Sequence, residues 1–154
     1  MPASTLRNFV SKTRLFPVAR ERVFHAWTDE EELAAWWHPG DFRTEGVRFD
    51  LRVGGTYEIR MVDSEGLRQR LSGVYVDIVA PERLVMTWRL EGSPADDGYE
   101  ALLTLVFEQA PGGTLLQLKH ERLRPAGLGR FGAGWEGLLP KLAVHLAGTT
   151  REIA

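Results

Sequence analysis

Chemistry near neutral pH needs an ionisable group in a sheltered place, and His120 is the residue that best meets that description. It alternates with Leu116 and Leu118, so a strand carrying all three on its inner face would point an imidazole into the interior. There it could hold the polar end of a ligand or move a proton. The plainer reading is a core histidine bonded to a backbone carbonyl or to Trp135, since buried polar groups find such partners. Proton transfer would also need a nearby carboxylate. Glu58 and Asp77 are the candidates, Asp77 being in phase with Leu71 and Tyr75 and opposite to Val74, Val76 and Ile78. Trp36, Trp37, Trp88, Trp135 and Tyr57 form an aromatic set able to line a pocket with indole and phenol donors. Adjacent residues on a helix point about 100° apart, so at most one of Trp36 and Trp37 is expected fully inside.

Other chemistries are excluded. There is no cysteine, hence no disulfide, thiolate metal site or thiol nucleophile. No serine sits in Gly-x-Ser-x-Gly. His25, His38, His120 and His145 show no metal-ligand spacing, and no metal or other cofactor is expected. Gly127, Gly129 and Gly132 approach a dinucleotide fingerprint only superficially, because no parallel crossover surrounds them. Gly54-Gly55 is followed by no helix that could cradle a phosphate. The net charge of −2 argues against a nucleic-acid or anionic-membrane binder.

The elements that must position these side chains follow from hydrophobic period. Leu128, Phe131, Trp135, Leu138, Leu139, Leu142 and Leu146 recur at three- and four-residue steps, predicting a helix from Ala126 to about Gly148. Gly127, Gly129, Gly132, Gly134 and Gly137 interleave with them at about 1 kcal/mol each relative to alanine. They call for close approach to another backbone, or for an irregular, movable N-terminal part. Pro140 is expected to bend the helix. Such a helix over a curved sheet can leave a gap beneath it.

From Leu6 to Phe16 the pattern is a strand with one wet side. Ala19 to Trp27 is a short helix, and Thr28-Asp29-Glu30-Glu31 has the form of a capping box opening a second, which ends at His38-Pro39-Gly40. The period then becomes two, through Val47–Leu51, Tyr57–Met61, Arg68–Val79, Leu84–Leu90, Tyr99–Gln109 and Thr114–Arg122, with turns at Asp63–Gly66 and Pro111–Gly113. The class is α+β: about seven antiparallel strands in the order strand, two helices, six strands, helix, with the last helix on the sheet.

Several strings in that order resemble the activator-of-heat-shock-protein-90-ATPase homologue family of the START-like, or helix-grip, superfamily. They are Arg14-Leu15-Phe16, Glu21 to Trp27, Trp36-Trp37-His38-Pro39, Asp50 to Gly55, Gly73, Pro81 to Val85, Thr87-Trp88, Gly113-Thr114, His120 and Gly134-Trp135 with Leu138 and Leu142. The chain departs from the family pattern at Val18-Ala19, where Ala-Pro is usual, and at Pro140. The resemblance implies a helix-grip fold, a curved sheet wrapped around a long C-terminal helix.

With 154 residues, 44% apolar and 26% charged, one domain over residues 1–154 is expected. The first residues do not read as a signal peptide and no run reaches membrane-spanning length, so a cytoplasmic place is the default. Arginine exceeds lysine sixteen to three, a bias of GC-rich bacterial coding. The leading functional expectation is a protein that binds a small, mostly apolar molecule between sheet and terminal helix. Trp37, Tyr57, Trp88, His120, Phe131 and Trp135 would line the site. A protein-interaction module ranks second, because the resemblance implies a chaperone partner. A cyclase- or hydrolase-type enzyme using the same cavity is third. A homodimer through an edge strand is compatible with the pattern, which does not decide it.

Overall fold

The computed structural model describes residues 9–92, 100–125 and 128–153, with side chains through Gly148. Strands are β1 (Val10–Phe16), β2 (Arg43–Phe49), β3 (Thr56–Val62), β4 (Arg68–Val79), β5 (Arg83–Glu91), β6 (Glu100–Ala110) and β7 (Gly113–Glu121). Helices are α1 (Arg20–Thr28), α2 (Glu30–Trp36) and α3 (Leu128–Ile153). They form one curved antiparallel sheet in the order β1-β7-β6-β5-β4-β3-β2. Residues 6–8, 93–99 and 126–127, where the first strand, the polar loop and the last helix were expected to begin or run, lie outside the described residues.

Strict alternation decides the inner face. Leu84, Met86, Trp88 and Leu90 on β5, Ala101, Leu103, Leu105 and Phe107 on β6, and Leu116, Leu118 and His120 on β7 are all buried. Beneath them α3 buries Phe131, Trp135, Leu138, Leu139, Leu142 and Leu146. On edge strand β1 the inner phase is Val10, Lys12, Arg14, Phe16. Lys12 there meets Glu136 of α3 at 2.6 Å, so the charged phase is the inner one, and the uniformly exposed side is Ser11, Thr13 and Leu15.

Where the chain departs from simple periodicity, a local cause is visible. The cap of α2 is Asp29, not Thr28: Asp29 accepts from the Glu32 amide at 3.1 Å, while the Thr28 hydroxyl donates back to the Phe24 carbonyl at 2.9 Å. The expected reciprocal capping box is replaced by a simple Asp29 cap, because Thr28 is still the last residue of α1 and the Asp29 amide donates to the His25 carbonyl at 3.0 Å. In β4 the register against β5 shifts between Tyr75 and Asp77. That bulge reverses the phase, so Asp77 turns outward to Arg83 at 2.8 Å and Ile78 packs on the core. Gly73 is required by close approach: a Cβ there would lie 2.1 Å from the Thr87 carbonyl oxygen and 2.7 Å from the Tyr57 ring.

The helix glycines have a different status. A Cβ at Gly129, Gly132, Gly134 or Gly137 would meet nothing within 4 Å. Close backbone approach, one of the two reasons expected for them, is therefore overturned. Nor is the N-terminal part irregular, since α3 is helical from Leu128 and continues through Pro140.

Candidate functional site

Trp37 is the residue at which α2 stops. Its backbone, at φ −80° and ψ 84°, leaves the helical region, so the 100° separation of a continuous helix no longer applies. Trp36 and Trp37 are both buried, at 1% and 3% exposure, correcting the expectation that only one would be inside. Trp36 donates to the Ala26 carbonyl at 2.9 Å, while Trp37 turns toward the sheet. Thr44 donates to the Trp37 carbonyl at 2.9 Å. Lys141 of α3 donates to the carbonyls of His38 and, at 3.0 Å, Gly40. The loop after α2 is thereby tied to the terminal helix.

Under that loop lies a cavity of about 290 Å³. Its floor is Met61 of β3, Gln69 and Leu71 of β4, and Trp88 and Leu90 of β5; its roof is Arg130, Phe131, Gly134, Trp135 and Leu138 of α3; Trp37, Pro39, Gly40, Asp41 and Phe42 close one side. The Trp88 ring has room because Ala101 is its partner across the β5–β6 ladder. Trp37, Trp88 and Trp135 stand around one another with centroids 5.6 to 6.2 Å apart. The walls are mainly apolar; Asp41 and Arg130 supply charge at the exposed rim, Asp41 accepting from the Ser64 hydroxyl at 2.6 Å.

Of the six expected lining residues, the structure brings Trp37, Trp88, Phe131 and Trp135 together around this space. Tyr57 lies deeper, beside a separate void of about 20 Å³, its hydroxyl donating to the Thr87 carbonyl at 2.6 Å. That hydroxyl's pKa is driven well above the ordinary phenol value by burial and, less, by Tyr75. His120 is fully buried behind the wall, packed beside Trp88, Phe131 and Trp135 with centroids 4.5, 4.9 and 5.9 Å away. Trp135 Nε1 donates to His120 Nδ1 at 3.1 Å, which places the neutral ring's proton on Nε2. Burial lowers its pKa from 6.5 to about 3. The plainer of the two sequence readings, a core histidine serving Trp135, matches this geometry. Glu58 and Asp77 both face outward, bonded to Arg70 at 2.6 Å and Arg83 at 2.8 Å. Neither can act with His120.

Sequence reasoning missed Phe42, Leu71, Leu90 and Gln69, which carry no chemical signal until the loop and strands meet. It also missed a second polar cluster. Glu32 of α2 receives Arg22 at 2.9 Å, His25 at 3.1 Å and His145 of α3 at 2.8 Å. Burial would raise its carboxyl pKa, but hydrogen bonds from His145 and Arg22 and the charges of Arg22 and His25 hold it below the usual value. His25, Asp29 and Glu32 place ligand atoms within 4.8 Å of one another, at helical steps of four and three. Asp29 is committed to the cap and Glu32 to Arg22, so the cluster is an ion-pair tie between three helices.

Comparisons with known proteins agree with this architecture. A protein from Chromobacterium violaceum is 27% identical over 95% of this chain and 98% of its own, with a TM-score of 0.81. An AHSA1 protein from Silicibacter pomeroyi is 30% identical over 90% and 97%, with a TM-score of 0.77. An AHSA1-like protein from Aeromonas hydrophila is 26% identical over 92% and 94%, also at 0.77. A search of curated proteins found no match. The family model described as activator of Hsp90 ATPase homolog 1-like protein matches residues 17–147. That span runs from the end of β1 to the far part of α3 and takes in every wall of the cavity, and the chain belongs to this family.

Proposed function

We propose that this protein binds a small, mostly apolar molecule in the cavity between the sheet and α3. The observation that carries the reading is the cavity itself: about 290 Å³, open at its rim and lined chiefly by Trp37, Leu71, Trp88, Leu90, Phe131 and Trp135. That is far more room than a single buried water needs. Apolar walls make water a poor occupant, and a one- or two-ring molecule would gain by displacing it. Proton-transfer chemistry finds less support, since His120 is held neutral at neutral pH and no carboxylate faces it among the described residues. Native mass spectrometry of freshly purified protein tests the reading by looking for a co-purifying molecule. Tryptophan fluorescence across a panel of apolar compounds supplies the titration. No bound species and no quenching across the panel would end it.

A second reading, a protein-interaction module, rests on the family's description and on a shallow groove outside α3. Ala35, Gly137, Pro140 and Val144 line it, and Val144 is 71% exposed. Titrating purified Hsp90 with this protein and following ATP hydrolysis tests that reading; an unchanged rate would remove it.

A further inference from the structure

The inner face of β4 changes character along its length. Tyr75 and Leu71 are closed off, at 2% and 1% exposure, whereas Gln69, the next residue in the same phase, is only half-buried. It stands between Met61, its cross-strand partner on β3, and Gly92, where an added Cβ would lie 3.4 Å from Gln69 Cγ. A strand in mid-sheet is shielded from behind by the sheet itself. Water therefore reaches an inner-phase side chain from the space in front of it, and Gln69 lines the cavity there. This is the end of the cavity where Asp41 meets the β3–β4 turn through Ser64. The side-chain amide of Gln69 makes no hydrogen bond to the described residues. Among the lining side chains it alone is an uncharged group that both donates and accepts. Pockets of this kind take their specificity from a few placed polar groups on apolar walls.

The geometry points to Gln69 as the specificity-determining residue of the cavity, and to a ligand with an apolar body and one neutral end that both donates and accepts. A carboxamide, a lactam or a hydroxyl is such an end. This rests on the cavity-binding reading above and narrows it. The apolar body lies inward against Leu71, Trp88 and Trp135, and the polar end stays at the mouth. An amide end answers Gln69 twice, its N–H donating to Oε1 and its carbonyl accepting from Nε2. A neutral end fits because Asp41 and Arg130, opposite in sign, both line the rim. A charge of either sign drawn between them meets one like neighbour and gives up hydration as it enters.

Three probes of similar outline test this by calorimetry: naphthalene carboxamide, isopropylnaphthalene and naphthoate. Each is titrated into the unaltered protein and into Gln69→Met, which keeps the unbranched side chain and loses the amide. The carboxamide should bind Gln69→Met about tenfold more weakly, the order of one or two hydrogen bonds, while the hydrocarbon holds or gains. In heteronuclear NMR of the unaltered protein, the Gln69 side-chain NH2 resonances should move with the carboxamide and stay in place with the hydrocarbon. Gln69 has no side-chain bond to lose, so the variant should fold; if it does not, those resonances decide the matter. An equal change for carboxamide and hydrocarbon, with the Gln69 resonances unmoved, overturns the assignment and leaves the cavity reading standing. Naphthoate that binds tighter than the carboxamide and is indifferent to Gln69→Met puts the polar end at Arg130 and overturns it too. Binding by none of the three removes both the cavity reading and this one.

Discussion

The two halves of α3 do different work. From Leu138 to Gly148 the helix is anchored: Leu138, Leu139, Leu142 and Leu146 are all at most 5% exposed, Lys141 holds the loop carbonyls, and His145 reaches Glu32 at 2.8 Å. From Leu128 to Gly137 it carries four glycines whose missing side chains face open space. Its two large buried residues, Phe131 and Trp135, line a cavity. Pro140 sits between the halves and deletes the rung that would reach the Glu136 carbonyl. One half holds the helix to the protein, and the other roofs a space. Glycines with nothing to clear lower the helix's own stability, which is in keeping with the proposed binding role, where the roof would loosen.

The strongest way to break this contrast is to cut one buried side chain in each half. Leu142→Ala should cost about 3 kcal/mol, as for other fully buried leucines. Phe131→Ala, at a site already bordered by empty volume, should cost about half as much relative to that value and should change ligand binding instead. Urea unfolding of both variants measures this, and a larger loss at Phe131 would erase the distinction.

Acid probes the roof through His120. Its folded pKa of about 3 lies below the ordinary 6.5. Between those values the unfolded chain takes up a proton that the folded chain refuses. The histidine's effect on stability is therefore neutral above pH 6.5 and grows more unfavourable as pH falls toward 3. The loss should reach about 2 kcal/mol by pH 5. His120→Leu should remove that slope whatever it does to the baseline; an unchanged slope in the variant would assign it elsewhere.

Gly132→Ala sharpens the comparison in the opposite direction. With nothing within 4 Å of the added methyl, the variant should gain roughly 0.5–1 kcal/mol. It should also slow amide exchange in residues 128–137 more than in 141–148 and slow ligand entry. Destabilisation would mean that the helix glycines have a packing reason after all.

The smallest effect belongs to the tie in the anchored half. Glu32→Gln should cost at most about 1 kcal/mol at pH 7, because the cluster is only partly shielded. Glu32's folded pKa is lowered, so its contribution is present above about pH 4.5 and fades as pH falls through the lowered value. Below that range the variant and the parent should converge.

Much of the fold was legible because alternation and helical spacing are local properties. The succession of strands, the two short helices and the apolar phase of β5 all follow from periods of two and 3.6, whereas the choice of Trp135 over a backbone carbonyl as the partner of His120 came from the structure. Local pattern failed where a single residue changed the phase. The bulge before Asp77 and the end of α2 at Trp36 are such places, as is the cap moved from Thr28 to Asp29. The cavity was harder to read. Trp37, Trp88, Phe131 and Trp135 stand out by type, but Leu71, Leu90 and Phe42 are ordinary core residues until distant elements bring them to one wall.

By itself the amino-acid order determined which side of each element is apolar, hence a meander gripping a terminal helix. Tertiary structure alone decided where those apolar sides stop short of one another. It put the space under β3–β5 and left His120 behind the wall, where the sequence had placed it in the site. The physical reason is that periodicity records whether a side chain leaves water, whereas a cavity is a difference between volumes contributed by segments far apart in the chain.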